Sequence, residues 1–447
     1  MLRRWLLALG WGMLLAGSWG AVRQNVRGDE PPQGWKTAAP REEIRPHFAY
    51  RAMAGRSGQG EWVIEQDGPG QIGYWYQVVP VKGGQTYAFE VYRQVRDVAN
   101  PRRSIVPRIV WQDAQGRSVP LDEPAVDFYR SPGSVILAQP EYPRDGETDA
   151  AGWTRVGGIY RAPPKAVQAR IELWMRWAEG GRVAFSDLKF TPRRPLEPRK
   201  VRLATIHYRP RSRSPSGNRE EFAPLIAKAA QQKADLVVLP ETLTYYGVGK
   251  SYAECAEPIP GPSTEYFGKL ARQHDLYIVA GLLERDGPVV FNVVVLIGPD
   301  GNVVGKYRKV CLPRGEADNG VTPGKEYPVF ETRFGTVGMM VCYDGFFPEV
   351  ARELTKRGAE VIAWPVWGCN PLLARARACE NHIYLISSTY TAVENHWIVS
   401  GVFDHSGELL DYARDWGDVV VVEVDLNART RWAGIGDFRA EMERHRP

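Results

Sequence analysis

A proline-rich segment divides the 447-residue chain into two parts with different hydrophobic periodicity. Residues 191–200 read TPRRPLEPRK, contain three prolines and have neither a helical nor a strand period. This composition is typical of a stiff, polar linker. A chain of this length is too long for one ordinary domain. We therefore predict two domains, over residues 31–190 and 201–447.

The part before the linker alternates apolar and polar residues with the period of two that half-buried strands show. The alternation is clear in residues 87–92 and 168–175, and turn signals such as Gly180-Gly181 separate these runs. No helical stripe interrupts them. The pattern predicts an all-β, antiparallel sandwich over residues 31–190.

Seven of the 15 tryptophans fall in this first part. Their layout, with Gly152-Trp153 before a closing strand at residues 183–187, resembles the jelly-roll domains of carbohydrate-binding modules. The resemblance implies a jelly-roll-like sandwich and a glycan ligand. Aromatic residues in small sandwiches more often pack in the core than stack on sugars, so both interpretations stay open. Trp174 is the best candidate for an exposed platform, because it shares its face with polar residues.

The first 21 residues, MLRRWLLALGWGMLLAGSWGA, place Arg3 and Arg4 before an uncharged apolar stretch that ends in small residues. This order predicts a signal peptide over residues 1–21, and export to the periplasm or the extracellular space. The apolar run is short for an anchor, and no later stretch approaches about 18 uncharged apolar residues. We expect no stable membrane span after cleavage.

Composition and short motifs exclude several classes of protein. Lys and Arg number 57 against 52 Asp and Glu, and they are spread along the chain, so nucleic-acid binding is not indicated. Five cysteines do not make a disulfide scaffold, although Cys369 and Cys379 are near enough in the chain to be candidates for a pair. Metal-ligand motifs such as His-Glu-x-x-His are absent from the sequence, so no metal site is predicted.

After the linker, apolar runs suited to strands buried on both faces alternate with helical stripes. Residues 235–239 form one such run, and residues 293–297 and 303–307 flank a turn as a hairpin. Strands and helices alternate again from residue 337 onward. Two similar halves of this kind predict a layered α/β domain.

Three reactive residues stand at ends of the predicted strands, where functional groups collect in such sheets. Glu241 follows a buried strand, Lys309 follows the hairpin, and Cys342 ends a strand before a helix. A helix N-terminus lowers the pKa of a nearby thiol. A carboxylate can accept the thiol proton, and a lysine can stabilise an oxyanion. Together the three residues predict a thiol nucleophile.

The segments LPE at 239–241, YRK at 307–309 and CYD at 342–344 resemble the three signatures of the nitrilase superfamily, the carbon–nitrogen hydrolases. The resemblance implies a four-layer αββα sandwich, no cofactor and a Glu-Lys-Cys triad. Glu241 would be the general base, and Cys342 would form a thioester with an amide-type carbon. Lys309 and the backbone N–H of Tyr343 would stabilise the oxyanion. A second glutamate that many members have corresponds to Glu316.

Two departures from the family pattern bear on the substrate. Tyr343-Asp344 replaces the Trp-Glu pair usual in members that hydrolyse nitriles, which favours a small amide or N-carbamoyl substrate. Phe346 stands where many amidase-like members have an arginine, which argues against acidic ω-amides. Phe346 and Trp367, with other nearby aromatic residues, are candidates either for an apolar substrate pocket or for the core.

Three functions remain open at this point. The favoured one is an exported hydrolase of non-peptide C–N bonds. An acyl transferase that uses the same thioester is the close alternative, and a catalytically inactive glycan-binding protein is the third. Family members commonly associate, so the resemblance also implies a homo-oligomer.

Overall fold

The computed structural model describes residues 29–126 and 133–445, so the predicted signal peptide lies outside the described residues. Strands dominate the chain before residue 194. In order, the elements of this β-region are β1 (Lys36–Ala38), β2 (His47–Arg51), β3 (Glu61–Glu65), β4 (Ile72–Pro80), β5 (Thr86–Arg96), α1 (Pro101–Ser104), β6 (Ile105–Gln112), β7 (Ala125–Val126), β8 (Arg144–Thr148), β9 (Thr154–Arg161), β10 (Gln168–Arg176) and β11 (Arg182–Arg193).

Two antiparallel sheets make up most of the β-region. Their strand orders are β1-β4-β10-β6 and β2-β3-β11-β5-β9-β8. One hydrophobic cluster takes side chains from both sheets, including Trp75 and Trp111 from the first and Phe89 and Phe185 from the second. The prediction of a β-rich first domain is confirmed, while its jelly-roll character stays a prediction.

The tryptophans of the β-region pack mainly inward. Six of the seven are buried, and Trp177 is 48% exposed. Trp174 is buried too, because its ring stacks on Tyr74 at 3.9 Å and lies under the guanidinium groups of Arg108 and Arg176, both at 4.5 Å. The expectation of an exposed platform at Trp174 is therefore wrong.

The second part of the chain alternates strands and helices, as predicted. Its elements are β12 (Lys200–His207), α2 (Pro215–Glu220), α3 (Ala223–Gln231), β13 (Leu236–Val238), α4 (Tyr252–Cys255), α5 (Pro262–His274), β14 (Tyr277–Asp286), β15 (Val289–Ile297), β16 (Val303–Arg308), α6 (Arg314–Asp318), β17 (Val329–Glu331), β18 (Thr336–Met339), α7 (Pro348–Lys356), β19 (Val361–Val366), α8 (Pro371–Asn381), β20 (Tyr384–Thr389), β21 (Gly401–Phe403), β22 (Leu409–Tyr412), β23 (Asp418–Asp425), β24 (Arg431–Trp432), β25 (Gly436–Asp437) and α9 (Phe438–His445).

Two six-stranded mixed sheets lie at the centre of this α/β domain, in the orders β16-β15-β14-β13-β12-β23 and β17-β18-β19-β20-β21-β22. The sheets contact each other directly, since the Thr205 hydroxyl donates to the Ser387 carbonyl at 2.6 Å. Helices α3 and α5 pack on the outer face of the first sheet, and α7 and α8 pack on the second. The result is the expected order of layers, αββα.

Several boundaries and pairings differ from the expectations. Strand β11 runs to Arg193 and β12 begins at Lys200, so the irregular segment is shorter than the predicted linker, at residues 194–199. All five cysteines are free, and the Cys369–Cys379 pair does not form. Within the described ranges, no helix is long and apolar enough to cross a membrane.

The end of the chain returns from the α/β domain to the β-region. Strand β24 pairs in parallel with β7. Arg431 of β24 donates to both carboxylate oxygens of Glu141, at 3.0 and 2.8 Å, and to Glu123 at 3.0 Å. Arg431 and Glu141 are both buried. This buried ion pair therefore joins the α/β domain to the β-region.

Replacing Arg431 tests how strongly this ion pair holds the molecule together. We expect Arg431→Ala to lower the free energy of unfolding by about 3–5 kcal/mol, because the buried Glu141 carboxylate would lose its two shorter hydrogen bonds and keep only Arg429, at 3.4 Å. The control is Arg314→Ala, whose 93% exposed side chain pairs with Asp318 and should contribute less than about 1 kcal/mol. Urea unfolding measures both, and equal losses would contradict the prediction.

Candidate active site

Glu241 lies just beyond the end of β13, in the interior of the α/β domain. The turn that presents it is strained, since Thr242 has a φ of 42°, in the left-handed region. The turn also packs tightly on β14. A Cβ atom built on Gly281 would lie 2.5 Å from the Glu241 Cα and 2.6 Å from the Pro240 carbonyl oxygen. Glycine at residue 281 thus permits the backbone of Glu241 to sit where it does.

Lys309 follows β16 and is completely buried. Its Nζ donates to Oε1 of Glu241 at 2.9 Å and to Oε1 of Glu316 at 2.6 Å. Burial alone would lower the pKa of Lys309, but the charges of Glu241 and Glu316 outweigh it and hold the pKa above its ordinary value. Lys309 is therefore a permanent ammonium group between two carboxyl groups.

Asn292 on β15 completes this cluster, and sequence reasoning missed it. Its amide Nδ2 donates to Oε1 of Glu241 at 2.8 Å and to Oε1 of Glu316 at 3.2 Å. The backbone carbonyl oxygen of Asn292 also accepts the backbone N–H of Lys309 at 2.9 Å. The signal was a single amide in the otherwise apolar run VVFNVVVLI. Burial raises the pKa of Glu316, and Lys309 opposes part of that shift.

Cys342 begins a short 3-10 helix over Cys342–Phe346, with a φ of 36°. The buried carboxylate of Asp344 holds this turn. It accepts the backbone N–H of Val341 at 2.9 Å, that of Cys311 at 2.8 Å and the Tyr307 hydroxyl at 2.8 Å. Since Tyr307 lies two residues before Lys309, Asp344 links the lysine segment to the cysteine turn.

The charges around Cys342 decide its protonation state. Burial and the negative charge of Glu241 raise the pKa of the Cys342 thiol, while Lys309 lowers it by a smaller amount. The prediction of a lowered pKa at a helix N-terminus is therefore wrong, and the resting thiol is protonated.

The aromatic residues near Cys342 divide into core and surface. Trp364 is buried under the turn, where its Nε1 donates to the Cys342 carbonyl at 3.3 Å. Phe346 is 37% exposed and packs on Tyr343 with ring centroids 5.3 Å apart. Trp367 is 43% exposed and stands 5.1 Å from the ring of Tyr246. Trp364 is thus a core residue, and Phe346 and Trp367 have surface that a substrate can contact.

The fold and the site define a class of protein: an αββα sandwich that places a protonated thiol near a buried cluster of two glutamates and a lysine. The chain belongs to the carbon–nitrogen hydrolase family, whose model matches residues 202–433. It is therefore a hydrolase-family protein that acts on C–N bonds.

Individual relatives cover the same half of the chain. The protein is 36% identical over 237 residues to a nitrilase from Pyrococcus abyssi, a match that covers 51% of this chain and 90% of the relative. It is 30% identical over 234 residues to the omega-amidase NIT2 of Homo sapiens, covering 47% and 84%. The crystal structure of an amidase from Nesterenkonia sp. matches with 25% identity and a TM-score of 0.45, covering 55% and 95%.

Gly281→Ala tests the close contact that positions Glu241. The added methyl group needs the space of the Glu241 backbone, so we expect C–N hydrolysis to fall by about 100-fold, the usual cost of a displacement of about 1 Å. Gly68→Ala is the matched control, because its nearest neighbour would be 3.8 Å away. Steady-state kinetics measure both variants. Unchanged activity in Gly281→Ala would show that Glu241 tolerates movement.

The raised pKa of Cys342 predicts its pH-dependent reactivity. The thiolate fraction at neutral pH should be small, so the alkylation rate with iodoacetamide should rise with a midpoint above the ordinary value of about 8.5. Glu241→Gln removes the nearby negative charge and should move the midpoint to lower pH. Glu349→Gln, at an exposed site, is the control. Peptide mass spectrometry identifies the labelled cysteine, and a midpoint near neutral pH in the parent would overturn this account.

Proposed function

We propose that this protein hydrolyses small amides or N-carbamoyl compounds with Glu241, Lys309 and Cys342 as its catalytic residues. The observation that supports it best is the buried ammonium of Lys309, held by two carboxyl groups beside a thiol. A charged cluster of this kind is unfavourable in a protein core unless it has a function or complete pairing.

The first half of the reaction makes a thioester. As the Sγ of Cys342 attacks the substrate carbonyl carbon, Glu241 accepts the thiol proton, which fits a thiol that is protonated at rest. The carbonyl oxygen becomes an oxyanion, stabilised by the Lys309 ammonium and the backbone N–H of Tyr343. When the adduct collapses, Glu241 returns the proton to the nitrogen and the amine or ammonia leaves.

The second half regenerates the enzyme. Glu241, again a carboxylate, removes a proton from a water molecule that attacks the thioester carbon. The acid product leaves and Cys342 recovers its proton. Glu316 and Asn292 do not exchange protons in this scheme. They hold Lys309 and Glu241 in place and keep the positive charge at the point where the oxyanion forms.

The surroundings of the thiol favour uncharged substrates. Phe346 and Trp367 offer apolar surface. The buried ring of Tyr390 packs on Trp367, with the two ring centroids 5.3 Å apart. Tyr343-Asp344 after the nucleophile argues for amides over the nitriles that the name of the Pyrococcus relative suggests. Phe346 likewise argues against acidic ω-amides. Export of the protein, proposed from residues 1–21, would place this activity outside the cytoplasm.

Ammonia release from a panel of aliphatic amides, ω-amides, N-carbamoyl compounds and nitriles tests the proposal. We expect one amide or carbamoyl class to react. Cys342→Ala should abolish turnover, and Glu241→Gln should reduce it by at least about 100-fold, the low end for a general base. Glu349→Gln should match the parent. Full activity in Cys342→Ala would exclude the thioester route.

Added hydroxylamine distinguishes hydrolysis from transfer. If the thioester is captured by an amine faster than by water, the hydroxamate will dominate the products and the protein is an acyl transferase. If the acid dominates, it is a hydrolase. No turnover of any class, together with glycan binding by the β-region, would leave the binding protein as the surviving function.

A further inference from the structure

A cavity of about 250 Å³ lies between the β-region and the α/β domain and shares no residue with the candidate active site. Its walls come from α1 and β6, from residues 142–145, from the end of α7 and from α9. We call it the seam cavity. Ile105, Val106 and Met442 contribute apolar surface to it. Both parts of the molecule are therefore needed to form it.

Basic side chains outnumber acidic ones around the seam cavity, five to two. Both acidic residues, Asp145 and Glu443, already have arginine partners. Asp145 accepts from Arg93, and the Glu443 carboxylate lies 3.5 Å from Arg144. The lining therefore has positive charge that its own carboxylates do not neutralise. The five basic residues are Arg102, Arg144, Lys356, Arg439 and Arg444.

Two of these arginines lack ion-pair partners among the described residues. They are Arg102, at the rim, and Arg439, on α9. Burial and the neighbouring Arg144 lower the pKa of Arg439, and the nearby carboxylates of Glu443, Glu360 and Asp437 offset only part of that shift. Arg444 is only partly paired, since Nη2 donates to Glu441 at 2.6 Å while Nε and Nη1 are buried without hydrogen-bond partners.

We infer that the seam cavity binds a small organic anion through a carboxylate or phosphate group. Guanidinium groups match both oxyanions with paired, charge-assisted hydrogen bonds. A bound oxyanion would offset the positive charge of Arg102 and Arg439, while the apolar wall would contact the rest of the molecule. The volume is just below the range of about 300 to 1,000 Å³ for drug-sized ligands. A ligand with one sugar-sized ring fits these limits.

Calorimetric titration of the full chain tests this inference, with inorganic phosphate, glucuronate and uncharged glucose as probes at constant ionic strength. We expect one or both anions to bind with a stoichiometry of one and glucose not to bind. The stronger anion identifies phosphate or carboxylate as the preferred group. Binding of neither anion, or equal binding of glucose, would overturn the inference.

Substitutions locate the binding. Arg439→Gln should raise the Kd of the bound anion by about tenfold, the loss expected for one hydrogen bond to a charged group. Arg102→Gln, at the exposed rim, is a second variant in case the first does not fold. Arg314→Gln is the control for an exposed arginine elsewhere, and Cys342→Ala should bind like the parent. An unchanged Kd in both seam variants would place the anion elsewhere and contradict the assignment.

Discussion

The buried ammonium of Lys309 is the interaction on which the candidate site depends. An isolated charge in this position would be strongly unfavourable, and here Glu241, Glu316 and Asn292 surround it. Glu241, at the end of β13, lies 68 residues from Lys309 in the chain, while Glu316 on α6 lies seven residues from it and Asn292 belongs to β15. The cluster therefore forms only when the first sheet has its correct register, and any shift of one strand would separate a carboxylate from the ammonium.

The second sheet supplies the thiol, and a separate polar network aligns it with the first. The Asp344 carboxylate joins the turn of Cys342 to Tyr307 and Cys311. These bonds hold Cys342, which follows a strand of the second sheet, near the lysine of the first. Burial and the negative charge of Glu241 raise the pKa of the Cys342 thiol, so the carboxylate that pairs with Lys309 also favours the protonated form of the cysteine. Glu241 therefore contributes both to the pairing of the buried Lys309 and to the protonation state of the thiol.

Much of the architecture could be predicted because hydrophobic periodicity is a local property. The alternation in residues 168–175 corresponds to β10, and the hairpin at residues 293–307 corresponds to β15 and β16. The role of Asn292 could not be predicted, since the function of one amide in an apolar strand depends on its hydrogen-bond partners, which the sequence of the strand does not reveal. Trp174 was misjudged for a similar reason. Its face of the strand is polar, but Tyr74 and two arginines cover the ring.

The sequence by itself determined the two kinds of domain, the order of the strands and helices in the second, and the three motifs that contain Glu241, Lys309 and Cys342. These follow from residue type and spacing, which need no knowledge of distant neighbours. Only the tertiary structure decided the protonation of Cys342, the burial of Trp174 and the positively charged cavity between the domains. Each of these depends on charges and rings brought together from distant segments, and electrostatic energy and burial depend on separation in space rather than along the chain.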